Sequence, residues 1–205
     1  MINSVLALIG VLLVSYVVGS IPFGLIIGKL NGVDIRKRGS GNVGSTNITR
    51  TIGRDWGMAC FALDFCKGLA PVILARNAVS GMGTMPAILA AAAAIAGHIW
   101  PIFLNFKGGK GVSTSLGALI ALAPFHVIIC ATAWYLVFRL TRYVSVASIV
   151  AALVLPLASL ILATQVETII LLIVVAALII FRHRSNIVRL LEGTENRFER
   201  SERNE

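Results

Sequence analysis

Long apolar segments alternate with short polar loops along the whole chain of 205 residues. Most of these segments approach the ~20 residues that an α-helix needs to cross the hydrocarbon core of a bilayer. Because backbone groups in lipid must be hydrogen-bonded within the chain, we expect the segments to be helical. The pattern predicts helices over seven ranges: 4–27, 56–74, 85–104, 115–123, 125–138, 144–163 and 168–181.

The fourth and fifth predicted helices come from one apolar run that contains Pro124. A single span over this run would place Arg139 and Arg142 outside, against the preference of Lys and Arg for cytoplasmic loops. Proline breaks a helix because it lacks the backbone N–H and its ring clashes with the preceding turn. We therefore predict a short helix before Pro124 and a longer one after it, in an all-α integral membrane protein with seven helices.

The basic residues set the predicted orientation of the chain. The loop after the first span carries most of the charge of the first half, at Lys29, Arg36, Lys37, Arg38, Arg50 and Arg54. By the positive-inside rule this loop faces the cytoplasm, so the N-terminus lies outside and, after seven helices, the C-terminus lies inside. We expect residues 1–205 to form one polytopic membrane domain, with a charged tail over 192–205 that is frayed.

Composition agrees with this class of protein and narrows its partners. The hydrophobic fraction is 57%, above the ~45–50% typical of soluble domains. The net charge is +9, but the basic residues lie in loops, so we expect membrane lipid as a partner and no nucleic acid. The three cysteines lie in apolar segments and are predicted to be small buried side chains, with no metal site and no cofactor.

The first candidate for chemistry is the polar stretch 39–50, GSGNVGSTNITR. Three glycines in six residues leave backbone N–H groups bare, and such groups can form a concave anion site. The stretch matches G-x-G-x-x-G, but it lacks the βαβ context of a dinucleotide site. A flexible loop is the alternative to a phosphate site at the membrane surface. The residues of this loop predicted to bind phosphate are Ser40, Gly41, Asn42, Asn47 and Arg50.

A second glycine-rich basic loop spans 105–114, NFKGGKGVST. Gly108 and Gly109 are expected to expose their N–H groups, while Lys107 and Lys110 supply charge. A predicted helix begins directly after the loop, and a helix N-terminus favours anions. The loop lacks the Walker spacing. Two such loops on one membrane face are a stronger signal than either alone.

Polar residues inside the predicted spans have two interpretations. Asp64 and Lys67 lie one turn apart, so they are either contacts of a site or a mutual ion pair that holds the helix, and the ion pair is favoured. His98 is interpreted as a hydrogen-bonded packing residue. Ser145 and Ser148 lie on the first turn of the sixth helix, facing the inner pocket or bonding back to their own helix.

The segment 182–195, RHRSNIVRLLEGTE, is predicted to begin with an amphipathic helix at the membrane interface. His183, Asn186 and Arg189 share its polar face. A basic cluster that binds anionic lipid is the alternative, but it would not need the histidine or the asparagine.

Together the three motifs, GSGNVGSTN with Arg50, FKGGKGVST and HRSNIVRLLEGTE, resemble those of the bacterial PlsY family, the acyl-phosphate:glycerol-3-phosphate acyltransferases. The stretches LDFCKG, GHIWP and RYVSVAS extend the resemblance over nearly the whole chain. It implies a seven-helix enzyme of the bacterial inner membrane with its active site at the cytoplasmic face. Such an enzyme moves a fatty acyl group from acyl phosphate to the 1-hydroxyl of sn-glycerol 3-phosphate. The products are lysophosphatidic acid and phosphate, in the first step of phospholipid synthesis, and no metal is implied.

The resemblance also implies roles for individual residues. Those matched to the acyl phosphate region are Ser40, Asn42, Asn47 and Arg50. Those matched to glycerol phosphate and the transferring group are Lys107, Lys110, Ser148, His183 and Asn186. Lys110, His183, Asn186 and Arg50 are the predicted catalytic residues, and Gly41, Gly108 and Gly109 complete the phosphate loops.

Neither a G-x-S-x-G nucleophile elbow nor a His-x-x-x-x-Asp signature occurs in the sequence. We therefore expect direct attack of the glycerol hydroxyl on the acyl carbonyl. The base is either His183, whose ordinary pKa is about 6.5, or a phosphate oxygen of a substrate.

Two other classes of protein fit parts of the pattern. A transporter or channel for a phosphorylated solute would also place basic glycine-rich loops at helix ends, but it would often show two related halves. The sequence shows no such repeat, since the His/Asn motif of the tail has no counterpart elsewhere in the chain. A lipid-binding accessory protein would need no paired anion loops.

Overall fold

The computed structural model describes residues 2–79 and 81–198, and within these ranges it contains ten α-helices and no β-strand. The helices are α1 (Ile2–Ser20), α2 (Phe23–Leu30), α3 (Ser45–Thr51), α4 (Arg54–Ala78), α5 (Met85–Ile99), α6 (Val112–Leu122), α7 (Pro124–Thr141), α8 (Val144–Ala158), α9 (Val166–Arg182) and α10 (Arg184–Leu191). Two short 3₁₀ turns, Ile35–Lys37 and Ile102–Leu104, lie in the loops.

Four helical stretches of the described chain are long and apolar enough to cross a membrane: Ser4–Leu30, Arg54–Ala78, Met85–Leu104 and Pro124–Thr141. α9 and α10 meet at 50° and together make a fifth candidate. α6 and α8 are shorter apolar helices. Each of the seven predicted ranges therefore overlaps an apolar helix. The number of crossings, the sides of the termini and the single-domain assignment stay predictions.

Prolines divide two of the apolar runs. The predicted break at Pro124 is present, because α6 ends at Leu122 and α7 begins at Pro124. The first run, predicted as one helix over 4–27, is also divided. Pro22 has φ −91° and ψ 71°, outside the helical region, and it separates α1 from α2. Like Pro124, it lacks the N–H that would continue the helical ladder.

Two other parts of the chain differ from the sequence prediction. The helix predicted over 144–163 ends at Ala158, and the polar stretch 39–50 overlaps the unpredicted helix α3. In the tail, Glu195 is 8% exposed, whereas 192–194 and 196–197 are exposed. That the tail is frayed stays a prediction, and 199–205 lie outside the described residues.

Glycines bring α4 against α6, which places the Lys110 loop beside the middle of α4. A Cβ on Gly117 would collide with the carbonyl oxygen of Phe65, and a Cβ on Gly68 would collide with that of Thr114. Small residues of this kind let membrane helices approach closely. The main apolar core then forms around this contact from buried side chains of α4, α5, α6, α8 and α9.

Replacing Gly117 with alanine should force α4 and α6 apart, because the new methyl group would meet backbone that cannot swing away. We expect a loss of about 1–3 kcal/mol in the free energy of unfolding, as for other overpacked sites. Thermal unfolding of the purified protein in detergent measures it. The matched control is Gly10→Ala in α1, where nothing lies within 4 Å of the added atom. Equal melting temperatures for Gly117→Ala and the wild type would contradict this account of the helix contact.

Candidate active site

A cavity of about 730 Å³ lies between α4, α6, α7 and α8 and is lined at one end by the loop 39–50 and the C-terminal tail. This volume is within the range of pockets that bind small molecules. α6 and α8 begin at the polar end of the cavity, beside Lys110 and Ser145. Further along the same helices the lining becomes apolar, at Leu119 and Leu155. One end therefore suits charged groups and the other suits hydrocarbon.

The cavity brings together residues from all three sequence motifs. Of the predicted site residues, those that line it are Ser40, Asn42, Asn47, Arg50, Lys110, Ser148, His183 and Asn186. Those that lie outside its lining are Gly41, Lys107, Gly108 and Gly109. The motifs are far apart in the chain, so the shared cavity supports their interpretation as parts of one site.

Asn47 shapes the first loop from within. It is 2% exposed; its Nδ2 donates to the carbonyl oxygens of Asn42 at 2.8 Å and Arg38 at 3.1 Å, and its Oδ1 accepts from the Ser40 N–H at 2.9 Å. The turn depends on Gly39, whose φ is +55° and whose Cβ would collide with Asn47 Oδ1. The loop is therefore a built structure, and Asn47 acts by holding it.

The amide groups of the second loop are used inside the fold, contrary to the sequence expectation. The Gly108 N–H donates to Ile99 O at 3.1 Å and the Gly109 N–H donates to His98 O at 3.1 Å. Their carbonyl oxygens accept from the Arg182 guanidinium at 2.7 and 3.1 Å. A Cβ on Gly109 would collide with His98 Nε2. These glycines thus allow close packing, and Lys110 is the basic side chain that the loop sends into the cavity.

The amide of Gly41 is engaged in the same way, since it donates to Arg38 O at 3.0 Å. Lys107 is exposed. Neither residue reaches the cavity lining, so their predicted phosphate contacts stay predictions that this geometry does not support.

Lys110 and Asn186 form the centre of the polar end. Lys110 Nζ donates to Asn186 Oδ1 at 2.6 Å, and Asn186 Nδ2 donates to Glu195 Oε1 at 2.7 Å. The two contacts fix which way the Asn186 amide points. The pKa of Lys110 is lowered to about 8, mainly by burial; Glu195 opposes this shift and the neighbouring arginines add to it. A negative charge bound beside it would therefore stabilise the charged form of Lys110.

Glu195 is a site residue that the sequence reasoning missed. Its Oε1 also accepts from Ser145 Oγ at 2.8 Å, and its Oε2 accepts from Arg189 Nε at 2.8 Å. Burial favours the neutral acid, but hydrogen bonds from Asn186, Ser145 and Arg189 outweigh it and lower the pKa of Glu195. The sequence feature that could have identified it is its place at the end of the third motif, four residues after α10 ends at Leu191.

The tail beyond Glu195 lies at the same end of the cavity. Arg50 donates to Asn196 O at 3.1 Å, and the Phe198 ring lies 6.0 Å from the Arg50 guanidinium and packs against Phe138. The first motif is therefore in direct contact with the segment that follows the third.

His183 is neutral and oriented. Its Nδ1 lies 2.7 Å from Ile179 O, and because a carbonyl oxygen only accepts, Nδ1 carries the proton and Nε2 keeps its lone pair. The side chain is 3% exposed. Burial, followed by the charge of Lys110, lowers its pKa to about 4.

Both serines at the start of α8 donate their hydroxyl hydrogens to groups of the protein. Ser148 Oγ donates to Val144 O at 2.8 Å and accepts from Trp134 Nε1 at 3.2 Å. This is the back-bonded arrangement that was the alternative to a site contact. The Ser145 hydroxyl is held by Glu195.

The predicted ion pair of α4 is present, with Lys67 Nζ 2.7 Å from Asp64 Oδ1. His98 lies against it and exchanges a hydrogen bond of 3.0 Å with Thr114. Within the described ranges, no group of three or more His, Cys, Asp or Glu side chains could hold a metal ion.

The family model described as glycerol-3-phosphate acyltransferase matches residues 9–193. The chain belongs to this family. A glycerol-3-phosphate acyltransferase from Aquifex aeolicus (strain VF5) is 44% identical over 184 residues, which cover 90% of this chain and 95% of the relative. One from Desulforudis audaxviator (strain MP104C) is 45% identical over 196 residues, which cover 95% and 98%. The resemblance found in the motifs is thereby confirmed.

Solved structures of a related enzyme share the fold. They are crystal structures of PlsY (YgiH), an integral membrane glycerol 3-phosphate acyltransferase, in its glycerol 3-phosphate and lysophosphatidic acid forms. Both are 42% identical and cover 94% of this chain; the TM-scores are 0.89 and 0.86, with 96% and 95% of the other chain covered. This protein is accordingly a multi-pass membrane glycerol-3-phosphate acyltransferase.

Replacing Glu195 with alanine should destabilise the fold and disorder the site, because Asn186, Ser145 and Arg189 would lose a shared acceptor. Buried donors without partners cost about 1–3 kcal/mol. Thermal unfolding and acyltransferase activity would both be measured. Glu192→Ala, which removes an exposed carboxylate three residues earlier, is the control and should change neither. A Glu195→Ala protein with wild-type stability and activity would show that the tail does not support the site.

Proposed function

We propose that this acyltransferase uses acyl phosphate as its donor and acylates the 1-hydroxyl of sn-glycerol 3-phosphate. The products are lysophosphatidic acid and phosphate. The observation that carries the proposal is the cavity, which joins the cations Arg50 and Lys110 to an apolar interior. Both substrates bear a phosphate and one bears a long chain, so one space with these two ends suits the pair.

The chemistry of the proposed donor does not require a nucleophile from the protein. An acyl phosphate is a mixed anhydride with phosphate as a good leaving group, so it is already activated. The Ser145 and Ser148 hydroxyls are both engaged within the fold. Positioning and charge stabilisation can supply much of the rate in such a case. Direct attack of the glycerol hydroxyl on the acyl carbonyl follows from these conditions.

The cavity residues divide between the two substrates in this proposal. Arg50, with Ser40 and Asn42 beside it, binds the acyl phosphate region, and Asn47 acts by holding their loop. Lys110, Ser148, His183 and Asn186 face glycerol phosphate and the transferring group. Lys110 and Arg50 supply the charge that offsets the phosphates.

A substrate phosphate is the better candidate for the base. Because the pKa of His183 is about 4, its neutral imidazole is a weak base at pH 7. Phosphate monoesters have a second pKa of about 6 and take the proton more readily. His183 then orients glycerol phosphate, because its Nε2 can accept a hydrogen bond from a substrate hydroxyl.

We further propose that the protein lies in the bacterial inner membrane, with the site at the cytoplasmic face, and performs the first step of phospholipid biosynthesis. The basic loops that carry Arg50 and Lys110 support this orientation through the positive-inside rule.

The donor assay tests the proposal. Purified protein in detergent receives glycerol 3-phosphate with palmitoyl phosphate, palmitoyl-CoA or palmitoyl carrier protein, and phosphate and lysophosphatidic acid are measured. We expect equal amounts of both products from palmitoyl phosphate alone. Lys110→Ala and Arg50→Ala should abolish turnover, whereas Lys29→Ala, which removes an exposed lysine of α2, should retain it.

Each other outcome of this assay has a definite meaning. Product from a thioester instead would overturn the donor and leave the acyltransferase. Glycerol 3-phosphate flux into liposomes, with no product from any donor, would favour a transporter.

The alkaline limb of the pH–rate profile should report Lys110. Its pKa is about 8, so the charged form predominates below that pH and is lost above it. We expect kcat/KM for glycerol 3-phosphate, which reflects the free enzyme, to fall as pH rises through about 8. Lys110→Arg keeps its charge at all these pH values and should remove the limb, at a lower overall rate. The same alkaline limb in Lys110→Arg would assign it to another group.

A further inference from the structure

Ser115 carries a buried hydroxyl with no hydrogen-bond partner. The residue lies on the first turns of α6 and is 2% exposed. Its Oγ makes no hydrogen bond to any group among residues 2–79 and 81–198. Buried polar groups are nearly always hydrogen-bonded, so one that is not calls for a physical reason.

Ser115 does not make the hydrogen bond that most often satisfies a serine hydroxyl in a helix. Helical serines and threonines bond back to the carbonyl four residues earlier, and several in this chain do so. These are Ser15, Ser20, Thr49, Thr51, Thr132, Thr141 and Ser148. The matching acceptor for Ser115 is Gly111 O, which accepts the Ser115 backbone N–H at 2.7 Å but no hydrogen bond from its hydroxyl. The hydroxyl itself stays free.

Ser115 lines the cavity at the boundary between its two ends. Along α6 it follows Lys110 and precedes Leu119, which also line the cavity. At 1.5 Å per residue it lies roughly 6 Å along the helix from Gly111. In an acyl phosphate the carbonyl group also lies between the phosphate and the hydrocarbon chain. A donor held at this boundary is therefore placed for that carbonyl.

We propose that Ser115 Oγ donates a hydrogen bond to the carbonyl oxygen of the acyl donor and stabilises the oxyanion that forms there. The inference rests on the proposed function and adds a catalytic residue to it. The first-turn N–H groups of α6 precede Ser115 and bring the positive end of the helix dipole to the same region.

The step balances without any further reactant. The glycerol 1-hydroxyl oxygen forms a bond to the carbonyl carbon, and the carbonyl π electrons move to its oxygen, where Ser115 donates. When that oxygen re-forms its double bond, the bond from carbon to the phosphate oxygen breaks. The proton of the glycerol hydroxyl ends on a phosphate oxygen, and the ester and free phosphate leave.

Ser115→Ala is the deciding variant, because it removes the hydroxyl and leaves the helix intact. Loss of one oxyanion donor lowers kcat by ~10²-fold in well-studied enzymes, and we expect at least a tenfold loss here. The KM for glycerol 3-phosphate should stay within twofold. The melting temperature should be unchanged or higher, because the variant deletes a buried polar group that had no partner in the fold.

Two further variants complete the test. Ser115→Thr keeps a hydroxyl at the same position and should recover most of kcat. Ser15→Ala in α1 removes a buried hydroxyl that donates to Val11 O at 2.6 Å, far from the cavity lining, and should leave kcat unchanged.

The inference is overturned if Ser115→Ala keeps kcat within twofold of the wild type. It is also overturned if the variant raises only the KM for glycerol 3-phosphate, or if Ser115→Thr is as slow as Ser115→Ala. Wild-type turnover with palmitoyl phosphate separates these results from a failure of the proposed donor. If the wild type uses a thioester instead, the same variants are compared on that thioester, because every acyl transfer builds the same oxyanion.

Discussion

The buried ion pair between Asp64 and Lys67 links α4 to the supports of both glycine-rich loops, 39–50 and 105–114. Lys67 Nζ also donates to Ile21 O at 2.7 Å, at the break between α1 and α2. Because Pro22 interrupts the helical ladder there, Lys67 supplies a donor to a carbonyl near the break. Asp64 faces His98 at 3.7 Å, and the His98 ring lies under Gly109. A charge this deep in a membrane protein is tolerated when it is paired, and removing one partner would leave the other exposed to lipid-like surroundings.

Through these contacts α4 sets the distance between two glycine-rich loops that are far apart in sequence. α2 supports the first loop, since a Cβ on Gly24 would collide with Val43 O. His98 supports the second through Thr114 and through its carbonyl, which accepts the Gly109 N–H. The cationic side chains therefore reach the cavity from rigid supports. Rigid placement would serve the proposed direct transfer, because a reaction of that kind depends on how its two substrates are positioned.

Local features of the sequence were predictable and long-range ones were not. Hydropathy located the apolar helices. The Asp64–Lys67 pair was predicted because charges inside a membrane span are costly unless they are paired. Both predictions depend only on residues that are close in sequence. The carbonyl oxygens of Gly108 and Gly109 accept hydrogen bonds from Arg182, which is 74 and 73 residues away. The position of Glu195 depends on Ser145, 50 residues away. Such pairings follow from how helices assemble, and a single sequence carries no measure of that assembly.

The balance of charge at the polar end explains why it suits phosphate. The Glu195 carboxylate accepts hydrogen bonds from Arg189, Asn186 and Ser145. Its negative charge is therefore compensated within the fold. Lys110 also bonds to Asn186, and the amide oxygen is its one side-chain partner among residues 2–79 and 81–198. Burial is the main reason that the pKa of Lys110 is lowered to about 8, and the nearby arginines act in the same direction. A phosphate between Lys110 and Arg50 would stabilise both cations, so the polar end favours an anion.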